Sequence, residues 1–375
     1  MKSNAALLMS RLAYAAVCVA LAACSSSRPK PADVPVVTVL QDVRTSWTAS
    51  LGEVNFPLVV STREGRVALA NSEGTVAVLD ASSGKDVWRL SLKQPIAAGV
   101  GSDGQQVAVI TRDNQLVVMR DGQVQWRQTL PAQSFTAPLV AGARVFVLTA
   151  DRSVLAFDGT SGAKLWTQQR AGEPLVLKQA GVLVAFKDTL VTGFAGRLVG
   201  LNPNTGVIRW ESAIASPRGT NDVERLVDLL SPVDRLGDSV CVRAFQSQIG
   251  CVNAQSGQGV WTRAAAGARG VSGNETLLIA GLANGVVQAW NRNSGERLWE
   301  TERLKYRMLS APLVTPRGVL VADDGGWLYV LSLADGALLN RVKLEGSELA
   351  AAPVLAGERY VLVTREGRVS GLQIP

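Results

Sequence analysis

Phe157-Asp158-Gly159-Thr160-Ser161-Gly162-Ala163-Lys164-Leu165-Trp166 decides the fold, because variants of this phrase recur along the chain. Each has an apolar residue, often Asp or Asn, a short polar turn, Gly, and then Trp. The phrase ends at Trp88, Trp126, Trp166, Trp210, Trp261 and Trp299, and a degenerate copy ends at Asn340. Trp47 has no copy before it. From Trp47 onward the intervals are 41, 38, 40, 44, 51, 38 and 41 residues, a period that fits four short strands with their turns. Around Trp166 the four units are TAPLVA, RVFVLT, SVLAFD and AKLWTQ, with Gly, Asp, Asn and Ser between them. The Gly before each Trp supplies positive φ in the turn between third and fourth strands. The Trp then lies on the outer strand, where its ring covers the next blade and its N–H finds an acceptor.

Seven such units run from Phe56 to about Lys343. Three more strands follow, APVLA, RYVLVT and VSGLQI, and a fourth is missing. The lone strand around Trp47 completes it. The expectation is an all-β fold, an eight-bladed β-propeller with four antiparallel strands per blade. Its ring is closed by an N-terminal outer strand joining the C-terminal blade, which protects edges that invite aggregation. The domain is 36–375.

The N-terminus is a processing signal. Lys2 and Arg11 precede an uncharged apolar run, and Leu21-Ala22-Ala23-Cys24 resembles a bacterial lipobox. The apolar stretch 12–23 is short of the roughly 20 residues needed to span a bilayer. Residues 1–23 are therefore read as a lipoprotein signal peptide, with Cys24 as the lipidated residue. Residues 24–35 read as a lipidated start and a flexible, proline-rich tether. In lipoproteins of this kind an aspartate after the cysteine signals inner-membrane retention. Ser25 stands there, which favours the cell outer membrane, facing the periplasm.

Removing the signal lowers the formal net charge from +7 to +5. The basic residues are scattered singly, without aromatic interleaving, so no nucleic acid is implied as a partner. The sequence has no histidine, which removes the usual general base, the Ser-His-Asp triad and imidazole metal ligands. No phosphate-cradling glycine loop is present. No cofactor and no metal site is expected. Asp323-Asp324-Gly325-Gly326 looks like a metal loop but falls in a strand-to-strand turn, where Asp and Gly are ordinary. Past Cys24 only Cys241 and Cys251 remain. They lie on either side of a turn near 246–248, and equal distances from it would place them opposite each other, so they are candidates for a cross-strand disulfide in an oxidising compartment. Two buried free thiols are the alternative.

The long intervals mark inserted loops, which are where function concentrates. Residues 171–181 precede blade four, and residues 216–232 precede or enter blade five. Both connect an outer strand to the next inner one, so they should be neighbours on one rim. Leu175 and Leu177 with Lys178 form one apolar group framed by charge. The second loop places Asp222, Glu224, Arg225 and Asp228 around Leu226, Leu229 and Leu230. Asn221 and Glu224 have the spacing of a capping box for a short helix. These leucines either meet a partner or fold under their own loops.

The Gly–Trp phrase resembles the repeat of the pyrroloquinoline quinone (PQQ) dehydrogenases, also eight-bladed. Those enzymes carry adjacent paired cysteines and calcium ligands, which this sequence lacks. The lipobox, the eight blades and the two loops together resemble the BamB family, outer-membrane lipoproteins of the β-barrel assembly machinery. That resemblance implies a non-enzymatic scaffold that binds the periplasmic POTRA domains of the barrel component and assists unfolded outer-membrane protein clients. In the family a Leu-x-Leu-Arg segment and an Asp-Arg-Leu-x-Asp-x-Asp segment make the POTRA contact. Leu175, Leu177, Lys178, Arg225 and Asp228 fall on those motifs. Lys178 replaces an arginine and Leu230 an aspartate, losing bidentate geometry and a charge respectively. A dehydrogenase-like enzyme and a periplasmic polymer-binding propeller are the alternative functions.

Overall fold

The computed structural model describes residues 29–34, 38–172 and 175–375. The signal segment and Cys24 lie outside them. Eight four-stranded antiparallel sheets follow one another along the chain. Blade three is Leu139–Ala141, Arg144–Leu148, Ser153–Asp158 and Lys164–Gln169. Blade eight is Val354–Ala356, Arg359–Val363 and Arg368–Gln373, completed by Arg44–Ser50 from the other end of the chain.

The repeated phrase builds each joint between blades. In blade three Asp158 Oδ1 accepts from Ser161 N at 2.7 Å and closes the turn. Gly162 takes φ +73°. A one-residue bulge between Ala156 and Phe157 then shifts the outer strand's register. The same shift recurs opposite each outer strand, as at Val78/Leu79 and Cys251/Val252. The tryptophan of the preceding blade lies on this turn. Trp126 Nε1 donates to Gly159 O at 2.9 Å, and a Cβ on Gly162 would sit 2.7 Å from the Trp126 ring. Glycine is therefore required twice, for φ and for the close ring. Trp47 repeats this across the closure, donating to Ala81 O of blade one at 2.9 Å. Where blade seven has Asn340 instead of Trp, its Nδ2 donates to Gln41 O at 2.7 Å.

The second and third strands of each blade carry the core, as in Val145, Phe146 and Val147 against Val154 to Phe157. Cys241 and Cys251 face each other in register in blade five and are disulfide-bonded. Residues 32–34, read from the sequence as part of a free tether, are hydrogen-bonded to blade seven and its entry loop.

Candidate partner-binding surface

The two inserted loops leave the outer strands of blades three and four and enter Leu183–Phe186 and Leu229–Leu236. They meet at Asp228. Its Oδ2 accepts from Leu177 N at 2.9 Å, tying the second loop to the first. Its Oδ1 lies 3.5 Å from Arg152 Nη1. Arg152 also donates through Nη2 to Leu175 O at 3.2 Å. One buried arginine thus braces both loops from the turn between the second and third strands of blade three, where it holds φ +63°. Gly172 passes so close that a Cβ would come within 2.7 Å of Arg152 Cδ. Beneath the loops is a cavity of about 60 Å³ lined by Phe135, Leu148, Leu177, Phe194 and Leu229 among others.

The predicted residues therefore divide. Leu175 is 38% exposed. Leu177 lines the small cavity, half-buried. Lys178 turns to a separate axial cavity of about 390 Å³, shared with Phe56, Leu58, Arg269, Met308 and Asp324. Arg225 and Val223 stand exposed in the second loop. The side chain of Asp228 is only 18% exposed and is already engaged within the chain.

Two expectations are corrected. Leu229 and Leu230 are buried strand residues, Leu230 paired in register with Arg243, so neither belongs to the exposed loop. No helix forms after Asn221. Asn221 Oδ1 does accept from Glu224 N at 2.9 Å, but Glu224 Oε2 takes Thr220 N at 2.8 Å instead of closing the reciprocal box on Asn221. A single turn results, and Val227 then buries itself and draws the chain into blade five. The Thr220 amide holds the Glu224 carboxyl below its ordinary range.

Arg152 is the residue that sequence reasoning missed. It belongs to an ordinary turn, and its partners lie 23 and 76 positions away. Among the described residues no group of three or more His, Cys, Asp and Glu is placed to hold a metal. Asp323 is consumed internally: Arg307, Tyr329 and the Trp327 amide all donate to it, at 2.8, 2.7 and 2.9 Å.

The family model described as outer membrane protein assembly factor BamB matches residues 72–301 and 283–374. The chain belongs to the BamB family. BamB of Burkholderia pseudomallei is 35% identical over 96% of this chain and 97% of its own length. BamB of Bordetella pertussis is 31% identical over 93% and 92%. The crystal structure of BamB from Moraxella catarrhalis superposes with a TM-score of 0.81 at 22% identity, covering 88% of this chain and all of that one. A quinohemoprotein alcohol dehydrogenase from Comamonas testosteroni shares the fold at TM-score 0.68 and 13% identity, over 89% of this chain and 76% of its own. That likeness is one of blade packing, since a fold does not carry an activity with it. The BamB relatives are named for assembly, and they match over nearly the full chain.

Proposed function

We propose that this protein is a non-catalytic scaffold of the outer-membrane β-barrel assembly machinery. It is anchored through lipid on Cys24, after removal of residues 1–23, to the periplasmic face of the outer membrane. The loops flanking blade four bind the POTRA domains of the barrel component and assist delivery of unfolded outer-membrane proteins. The observation that carries this reading is the brace at Asp228, which joins the two family motifs into one surface. In it Leu175 and Arg225 are the outward-facing residues, supported by Val223. Leu177 and Asp228 set the shape of the surface from below. Lys178 extends it toward the axis.

A photocrosslinking residue at 175 or 225 in intact envelopes should capture the barrel component. The same residue at 207 should not, because Val207 is exposed in the strand turn on the opposite face of blade four. Equal capture from 207, or none from 175 and 225, would remove the site assignment.

A further inference from the structure

Ala32, Val34 and Leu40, which precede the strand Arg44–Ser50, are each tied to the ring. Ala32 N donates to Lys305 O at 2.9 Å, and Ala32 O accepts from Arg307 Nη2 at 2.8 Å. Val34 O accepts from Arg341 Nη1 at 2.7 Å, and the Val34 side chain is buried in a cluster that includes Leu304, Tyr329 and Leu338. Arg307 is itself held by the enclosed carboxylate of Asp323. Leu40 N then bonds Leu339 O at 3.0 Å before the segment enters blade eight. Val34 and Leu40 thus lie along the outer edge of blade seven, and Ala32 lies beside the loop joining blades six and seven.

That placement limits where a lipid on Cys24 can be. Eight residue-to-residue steps lead from Cys24 to Ala32, and a chain extends at most about 3.5 Å per step, so the cysteine lies within roughly 28 Å of Ala32. Two opposed blades, each of four strands about 4.8 Å apart, already make the ring on the order of 40 Å wide. Only the near side of the ring is within the anchor's reach.

The same loop exposes two large side chains, Tyr306 at 45% and Met308 at 60%, the latter at the mouth of the axial cavity. Tyr306 holds φ +64°, a conformation unusual for a bulky residue. It is pinned there by its amide, which donates to Asn284 O at 2.6 Å, so the ring points outward at a cost in backbone energy. Lys305 Nζ lies 5.7 Å from the ring centre. Arg303 is exposed beside it and makes no ion pair among the described residues, whereas Lys305 pairs with Glu302 and Lys30 with Asp33. An outward tyrosine beside a flexible apolar methionine and basic residues suits the boundary between headgroups and acyl chains.

We propose that the loop of residues 302–308 is the surface this propeller lays against the lipid bilayer. The inference rests on the anchored reading above. It sets an orientation: the partner loops at the joints flanking blade four lie two and three joints round the ring from the bilayer contact. The bilayer contact and the partner loops therefore share one face of the ring and the mouth of its axial cavity, but occupy different sectors of that face.

The test uses the mature lipoprotein in phosphatidylethanolamine–phosphatidylglycerol vesicles, with an environment-sensitive fluorophore at Tyr306→Cys, Met308→Cys or Val207→Cys. Labels at 306 and 308 should shift to the blue and lose emission to nitroxide-labelled lipid, while the label at 207 does neither. The unanchored Cys24→Ser protein, labelled at 308, should lose that quenching. If mass spectrometry confirms lipid on Cys24 and the labels at 306 and 308 still behave like 207, the bilayer contact is overturned and the anchor stands. If Cys24 carries no lipid, the anchor reading fails and this inference falls with it.

Discussion

The joint between blades five and six and the joint between blades four and five use the same tryptophan in different ways. Trp261 and Trp210 are 8% and 9% exposed, and each lies on the turn glycine of the next blade, Gly295 and Gly257. Trp261 Nε1 donates to Arg292 O at 2.7 Å. Trp210 Nε1 is buried with no partner. The four–five joint relies on polar side chains instead. Lys187 pairs with Asp238 at 2.8 Å, Arg235 donates to Ala185 O, and Gln248 to Ile214 O. The first joint repeats a sequence phrase. The second accommodates an inserted loop, and its indole hydrogen bond is missing.

Replacing each tryptophan by phenylalanine should separate the two joints. Trp261→Phe removes the donor from a buried carbonyl, at a cost of about 1–3 kcal/mol beyond the smaller ring. Trp210→Phe loses the same ring area but also removes an unsatisfied buried N–H, which offsets part of the loss. The urea midpoint of Trp261→Phe should therefore fall clearly below that of Trp210→Phe. Equal midpoints would mean that the missing hydrogen bond at the four–five joint has no energetic consequence.

This contrast also marks how far the sequence could be read. The blades were legible because one local phrase specifies an Asx turn, a positive-φ glycine, a bulge and a tryptophan within about ten residues. Ring closure followed from counting, because Trp47 lacked a phrase and the last three strands lacked a partner. The loops were legible as interruptions of the period and as family motifs, but not as a surface. Which leucines face outward depends on where Leu229–Leu236 begins, and the sequence pattern placed that boundary too late. The brace through Arg152 was invisible, since an arginine in a polar turn has no local signature, and Leu175 and Asp228 are brought to it only by the packing of the two inserted loops around blade four. The docking of Ala32 and Val34 was hidden by a proline-rich composition that reads as linker.

If the four–five joint is a built surface, its shape should depend on charge more than the phrase-built joints do. Asp228→Asn keeps an acceptor for the Leu177 amide but removes the carboxylate charge from beside the buried Arg152. The pair is partly solvated and 3.5 Å apart, so the expected loss of stability is about 1 kcal/mol. Co-purification with the barrel component should fall much further than that loss explains. Leu175→Ala should leave the urea midpoint unchanged and still weaken co-purification. An Asp228→Asn protein that binds normally would show that the two loops need no brace.

The smallest effect expected is local and acidic. Glu224 is exposed, and hydrogen bonds from the Thr220 amide and hydroxyl favour its charged form, so its folded pKa lies below the ordinary value of 4.5. A depressed carboxylate contributes its stabilisation fully above the unfolded pKa and loses it as the pH falls through the folded one. Thr220 should therefore exchange its amide proton faster, relative to the intrinsic rate, as the pH drops below about 4.5. Trp261 Nε1–H, enclosed in a joint without a titrating partner, should stay protected over the same range. Glu224→Gln should abolish the pH dependence at Thr220 while leaving its protection at neutral pH only slightly lower. If the amide of Thr220 stays equally protected through this range, the second loop is held by Val227 and Asp228 alone, and Glu224 is a solvated charge with no part in shaping the surface.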